Sequence, residues 1–582
     1  MSSLSETRWQ ALLWLGLFLA GLLLAAWAHR ATLTEPYVVN NDSHQHIYWM
    51  QQWEHPERFQ DDLLTVYARD YQPWGFRALY RVASVVVDPL TLSRWLPLFL
   101  FALSVLLVGR LAARFAGVPG ALLAATLFAF SPFFLQKMAG AHPRAFAVPI
   151  LLLTLDLLVA RRHRWLAWLL PAAALLYPMA FLLAGGTAAL AGLFEGWQGG
   201  TGSPEDRRFR KSLSGLMSQR KMWMPILVGL LLGGGVLVAK YTLTQEPRIG
   251  PLISGEEMRQ SPEFYAGGRQ THLPTPGPYG VLEESLRRSL PNLRQLLPGN
   301  PPRRMPRVEL WGILALLALA LGLAVRRRHQ EQQRHPLRLP PALLALFLAS
   351  YGLYAAAEVL LFRLFLPRRY VMYSLPLLAI LALAALGAWF LARLPRRAGP
   401  WALAAALAGL LLTAPALDGV GLDDYSRSGE LYAYLQTLPE DTLIAPFPTL
   451  GDGIPLFTGR RVVISYELSN PYFTTYWRSM TERLEDFFDA YYAAAPDLEP
   501  AADFCRKYGV DLLVIDRRAY RNEVITHRRG AYFAPFSQRI RARAEGVESF
   551  ALEQLALEAA EFRDGSGEIL VVACEVVEAR AR

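Results

Sequence analysis

The stretch after the first apolar run carries the most suggestive chemistry in the chain. It reads Asn40-Asn41-Asp42-Ser43-His44-Gln45-His46 and continues Ile47-Tyr48-Trp49-Met50-Gln51-Gln52-Trp53. If a helix begins near Ser43, Asp42 and His46 lie one turn apart and share a face. A carboxylate beside imidazoles suits general-base work on an amphiphilic substrate, with the aromatic rings covering apolar surface or stacking on a sugar. Asp42 and His46 are the candidate catalytic pair, and His44 is a candidate substrate contact. The same pattern also describes an Asp42 or Ser43 helix cap beside an interfacial aromatic belt. Spacing alone does not separate these readings.

Further candidates sit at similar places. Asp61-Asp62 are adjacent carboxylates that could help hold a divalent cation or simply cap a turn; no other pattern implies a metal or cofactor. The run Tyr67–Tyr80, with Trp74 and Arg77, reads as a second surface helix. Gln136-Lys137-Met138-Ala139-Gly140-Ala141-His142-Pro143-Arg144 is too short to fold alone, yet holds two cations and His142. It could bind phosphate or anchor lipid headgroups. Arg363, Arg368, Arg369 and Tyr370 repeat the theme, with Glu358 in the preceding apolar run as a partner. Asp156 reads as a structural ion pair with Arg161-Arg162.

These residues need elements to hold them. Stretches long enough to span about 30 Å of hydrocarbon need ~20 residues. They occur at 10–28, 90–109, 118–137, 145–160, 165–176, 178–194, 222–241, 308–325, 341–361, 370–391 and 400–416. Tyr177-Pro178 divides the stretch 165–194 into two short helices, because proline breaks the backbone ladder. The connections alternate in charge. One set carries 19 basic residues, and the two short connections in the opposite phase carry 5. The first set is therefore cytoplasmic. Eleven crossings from a cytoplasmic N-terminus leave the C-terminal region outside the cell's inner (plasma) membrane. The first run reads as a retained anchor, longer than the 7–15 apolar residues of a signal peptide core.

Composition agrees. Hydrophobic residues make up 53% and charged ones 19% of 582 residues, which excludes a disordered chain and a plain cytosolic enzyme. The formal charge is +10, but only 5 of the 59 basic residues are Lys, and the arginines flank apolar runs. That is the positive-inside pattern, not a nucleic-acid surface.

The expected fold is a polytopic α-helical membrane protein with a C-terminal extracytoplasmic α/β domain. Residues 1–419 form the membrane domain, with outer segments 29–89 and 242–307. The second holds eleven prolines and an amphipathic helix around 280–297. In 420–582, short apolar runs at 443–445, 462–465, 512–515 and 569–572 alternate with helical patterns at 473–493 and 500–508. Gly451-Asp452-Gly453, Ser465-Tyr466-Glu467 and Asp516-Arg517-Arg518 lie at strand ends, where α/β sheets place ligand sites; turn formation and surface charge also account for each. Cys505 and Cys574 have no metal-ligand spacing, and a disulfide between them is open to an extracytoplasmic domain.

An acid directly after the first span, surface helices in the first outer segment, many spans and an extracytoplasmic C-terminal domain resemble the GT-C glycosyltransferase superfamily. That group includes protein O-mannosyltransferases, aminoarabinose transferases and oligosaccharyltransferases. The sharp motif is Asn41-Asp42. The resemblance implies a membrane glycosyltransferase, an outlying bacterial member that moves a sugar from a polyprenyl-phosphate donor to an extracytoplasmic glycan, lipid or protein. It gives Asp42 the role of base or of part of a metal and acceptor site. The chain departs from the family in having no Trp-Trp-Asp, in placing His142 and Arg144 where a second acidic motif is expected, and in having Asp42-Ser43 for Asp-Glu. On that reading His142, Arg144, Arg363, Arg368, Arg369 and Tyr370 would hold the donor phosphate. A transporter or lipid flippase with an accessory domain is the alternative; no inverted repeat supports it.

Overall fold

The computed structural model describes residues 2–198, 213–244, 246–273, 277, 280–284, 339–361, 363–527 and 531–582. The expected span 308–325, the basic residues of 207–211 and 326–338, and most of the expected amphipathic helix lie outside them; 280–284 are helical. Among the described residues, six helices are long and apolar enough to cross a membrane: Trp9–Ala28, Pro89–Ala129, Pro178–Glu195, Arg220–Leu243, Pro341–Val359 and Pro367–Leu391. The chain has the architecture of a multi-pass membrane protein.

The 41-residue Pro89–Ala129 element is two antiparallel arms. Gly117 has φ 65° and ψ −167°, a left-handed conformation that glycine adopts without a Cβ penalty. The rings of Phe101 and Phe128 then meet at 5.7 Å, whereas a straight helix would hold those residues about 40 Å apart. The runs 90–109 and 118–137 are thus separate limbs. The second limb ends at Ala129 and restarts as Pro132–Met138.

Leu166–Leu176 and Pro178–Gln198 are likewise two helices, joined through an extended Tyr177. Asp156 is buried and pairs with Arg110 at 3.1 Å and Arg114 at 2.8 Å, not with Arg161-Arg162. Its helix, Ala147–Val159, ends before those arginines and lies against the limb that carries Arg110 and Arg114. The expected single helix at 67–80 is two, Leu63–Tyr71 and Trp74–Ala83. Pro73 lacks the N–H that would continue the first.

The C-terminal domain is a small α/β layer. Its strands are β3 (Leu443–Pro446), β4 (Arg461–Val462), β5 (Leu512–Asp516), β6 (Phe562–Arg563) and β7 (Ile569–Ala573), in the order β4-β3-β5-β7-β6. β3 runs parallel to β4 and β5, while β7 is antiparallel to β5 and β6. β5 is buried along its length, as expected of a central strand covered on both faces. Helices Thr474–Tyr491 and Glu499–Tyr508 pack together, and a Cys505–Cys574 disulfide ties the second to the end of β7.

Two short strands couple this domain to the segment 29–89. β1 (Val38–Val39) pairs antiparallel with β2 (Asp423–Asp424). Arg30 forks onto Asp418 at 2.7 and 3.1 Å, and Arg58 reaches Glu440 at 2.6 Å.

Candidate active-site cavity

Residues 40–46 leave β1 as a turn and a single helical turn, Ser43–His46. Asp42 stands at the N-cap position, but its side chain caps no backbone N–H. It pairs instead with Arg144, which arrives on the short 139–146 connection. That connection is held in shape by Gly140 at φ 77°, where a Cβ would lie 2.2 Å from His142 Nε2. His142 Nε2 donates to Asn40 Oδ1 at 2.9 Å, and the His142 ring stacks on His46 at 4.8 Å. His46 Nδ1 is engaged by Gln72 at the end of Leu63–Tyr71.

Asp42, His46, His142 and Arg144 line one cavity of about 840 Å³. Its other walls come from the apolar helices (Met179, Leu182, Leu237, Val238), from 363–370, from the 251–270 segment and from the C-terminal domain. The cavity lining is amphiphilic, combining apolar and charged side chains.

Its charges follow a pattern. Three lining carboxylates each have a cation: Asp42 has Arg144, Asp70 has Lys240 at 3.0 Å, and Glu467 has Arg269 at 3.1 Å. Arg363 and Arg369 also line the cavity, and among the described residues neither pairs with a carboxylate. Among the described residues, the Arg369 guanidinium donates to the Tyr373 hydroxyl, at 3.4 Å.

Burial pushes the Asp42 carboxyl up, but the Arg144 guanidinium, joined by the charge of Arg369 and in acid by protonated His142 and His46, outweighs it and holds Asp42 well below the usual carboxylate range. Burial lowers His46 to about 4 and His142 well below its ordinary value, so both rings are neutral near pH 7.

The remaining sequence candidates are placed as follows. Tyr370 lines the cavity, its hydroxyl donating to the Leu364 carbonyl at 2.7 Å. Arg368 does not line it; it pairs with Glu284 and not with Glu358. His44 points away and is buried between Tyr425 (4.5 Å) and Phe457 (5.8 Å). Asp62 caps Leu63–Tyr71 by accepting from Thr65 N at 2.9 Å, and Asp61 is exposed at φ 52°. Neither meets the cavity. Helix capping consumes one carboxylate of that pair, and the left-handed turn aims the other at solvent. Among the described residues, His55, Glu57 and Glu440 are close enough to share a cation, but Arg58 already occupies Glu440.

Sequence reasoning did not join Glu467 to Asp42. Glu467 Oε1 accepts from Asn41 Nδ2 at 2.8 Å while its Oε2 accepts from Arg269 at 3.1 Å. Asp452 braces the same turn, its Oδ1 accepting from Ser465 Oγ (2.6 Å) and Glu467 N (2.8 Å). Burial, then the Glu467 charge, push Asp452 up to about 7, and burial raises Glu467 too.

No protein-family model matches the chain, and no curated protein matches it. Solved structures do resemble it at low identity. One is the Archaeoglobus fulgidus oligosaccharyltransferase in complex with Zn and sulfate, 14% identical over 97% of this chain and 76% of that one, TM-score 0.44. The same enzyme tethered to an acceptor peptide containing the NVT sequon is 14% identical over 91% and 72%, TM-score 0.47. ArnT from Cupriavidus metallidurans in the apo state is 14% identical over 98% and 99%, TM-score 0.39. Both enzymes are GT-C superfamily members.

Proposed function

We propose that the chain is a membrane glycosyltransferase that moves a sugar from a polyprenyl-phosphate donor to an extracytoplasmic acceptor. The observation that carries this reading is the charge pattern of the cavity. Two guanidiniums that have no carboxylate partner among the described residues, Arg363 and Arg369, share a cavity with the Asp42 carboxylate and with side chains of apolar helices. A lipid-linked phosphate fits such a space: its chain lies along Leu182, Leu237 and Val238, and its phosphate meets the arginine forks.

The reaction then follows from the residues. The acceptor hydroxyl donates a hydrogen bond to Asp42 and attacks the sugar's anomeric carbon. The new C–O bond forms as the bond to phosphate oxygen breaks, and the electron pair leaves on the phosphate, where Arg363 and Arg369 stabilise it. The acceptor proton passes to Asp42 late in the step and from there to water. A carboxylate held this far below its ordinary range is a weak base, so much of its contribution is orientation.

The disulfide supports an extracytoplasmic C-terminal domain, since such bonds persist in oxidising compartments. The test is release of undecaprenyl phosphate from undecaprenyl-phosphate-linked monosaccharides, with envelope extract as acceptor. Release that depends on Asp42 and on Arg369 sustains the reading; none from the unaltered chain overturns it.

A further inference from the structure

The C-terminal domain holds the two residues that precede Asp42. Asn40 Nδ2 donates to the Gly421 carbonyl at 2.6 Å, and β1 is zipped to β2 just before it. Asn41 is held at both ends of its amide: Nδ2 on Glu467 Oε1 at 2.8 Å, and Oδ1 accepting from the Tyr425 hydroxyl at 2.7 Å. The residues are far apart in sequence, 381 positions for Asn40 and Gly421 and 426 for Asn41 and Glu467. Asp42 has no cap bond of its own to fix it. Its backbone is fixed by Asn40 Oδ1, which accepts from Asp42 N at 3.2 Å, and by the helical turn that follows, and its carboxylate by Arg144; the two anchors hold the residues from which it projects.

Glu467 is the junction of the arrangement. Its second oxygen takes Arg269, whose guanidinium lies over the Tyr466 ring at 4.3 Å and donates to the Tyr466 carbonyl at 3.2 Å. Gln270 Nε2 donates to Asn470 Oδ1 at 2.7 Å beside it. One buried carboxylate thus gathers the 251–270 segment, the C-terminal domain and the first outer segment at the rim of the cavity. Its backbone is fixed in turn by Asp452. Such a group retains a desolvation cost unless both its oxygens are satisfied, and the structure satisfies both.

We propose that Glu467 is a positioning residue: acting through Asn41, it sets the Asp42 carboxylate in line with the acceptor. This rests on the glycosyltransferase reading above and adds to it a role for the C-terminal domain in the chemical step. A hydrogen bond of this kind has a direction, and direction can be reversed. Glu467→Gln alone removes the charge that Arg269 faces and lets the new amide oppose the Asn41 amide. Asn41→Asp alone sets two carboxylates against each other. Together they swap donor and acceptor: the glutamine Nε2 donates to the aspartate, which still accepts from Tyr425.

The test uses the full chain in lipid nanodiscs, with undecaprenyl-phosphate-linked monosaccharides as probe and undecaprenyl phosphate release as readout. Each single variant should lower kcat by roughly ten- to a hundredfold while the donor KM stays unchanged, because small displacements of a reacting group cost that much. The double variant should recover most of the loss. In the Asp42→Asn background, Glu467→Gln should add nothing further, since groups acting as a unit are non-additive. Unchanged kcat in Glu467→Gln, with Asp42→Asn inactive, overturns this proposal and leaves the glycosyltransferase reading standing. So does a loss in Glu467→Gln that is as large without Asp42 as with it, or that tracks a lowered melting temperature. No release from the unaltered chain overturns both.

Discussion

Arg144 closes on the carboxylate of Asp42 from a connection held in shape by one left-handed glycine. The pair has two effects. It keeps Asp42 ionised well into acid, and it leaves Arg144 facing a cavity with no other carboxylate assigned to it among the described residues. In the proposed reaction Arg144 orients Asp42, while Arg363 and Arg369, which pair with no carboxylate among the described residues, meet the phosphate.

Asp42→Asn should lower transfer by roughly two orders of magnitude. The side chain caps nothing, so the helical turn after it should persist. Far-UV circular dichroism and membrane insertion should match the unaltered chain. Transfer within a fewfold of the unaltered chain would remove Asp42 from the reaction.

Arg369→Gln and Arg363→Gln should each raise the donor KM by roughly ten- to a hundredfold, the scale of a lost charge-assisted hydrogen bond. Arg368→Gln is the control: its guanidinium is taken up by Glu284 outside the cavity, and the donor KM should not move. Equal effects at all three positions would mean that net charge, not the cavity, attracts the lipid.

Asp452 gives a pH signature. Its carboxyl is raised to about 7 in the fold from an ordinary value near 3.8. Between those values the folded chain holds the proton and the unfolded chain does not, so this group's contribution to stability falls as pH rises from about 4 to about 7 and then levels. Asp452→Asn keeps the Oδ1 acceptor for Ser465 and Glu467 and removes the titration. The variant's stability relative to the unaltered chain should climb across that window, measured by thermal unfolding at each pH. A flat difference would show that Asp452 is ionised throughout.

Gly140→Ala should damage the site without touching it chemically. A Cβ there would meet His142 Nε2 at 2.2 Å and Asn40 Cβ at 2.9 Å, and the φ of 77° is strained for any L side chain. The expected result is a lowered melting temperature together with lowered kcat. Ala at Gly419, which meets nothing within 4 Å but also has positive φ, should cost stability alone.

Purified from cells, the chain should react with maleimide at Cys505 and Cys574 only after reduction and unfolding. Replacing both by serine should destabilise the C-terminal domain by about 2–5 kcal/mol. Free thiols in freshly isolated membranes would place the domain in the cytoplasm.

The large-scale pattern was legible in the sequence wherever apolar length or alternation carried it. The strands at 443, 462, 512 and 569 appear as β3, β4, β5 and β7, and the proline at 178 divides two helices as expected. Asp42, His46, His142, Arg144, Arg363 and Arg369 were legible as candidates because each follows or precedes an apolar run, and the structure brings them to one cavity. Local pattern failed where a long-range partner decides a residue's role. Asp156 looks like a partner for the next arginines in sequence, but a helix end intervenes. Glu467 reads as a turn residue until Asn41 is seen against it, and Arg269 carries no local signal at all. Asp61-Asp62 shows the converse: a conspicuous acidic pair spent on a cap and an exposed turn.

The strand pair β1–β2 also has a consequence for how the molecule is made. Residues 38–39 wait for residues 423–424, and at roughly 5–20 residues per second of synthesis that delay is on the order of 20–80 s. Until the ribosome has passed the last membrane helix and the following strand has crossed to the same side, the Asp42 turn has neither Gly421 nor Glu467 to hold it. A chain stopped short of that point would be inserted but unarmed. Premature termination before residue 421 should therefore yield membrane-embedded fragments that, on the proposed reading, bind the donor lipid without transferring from it.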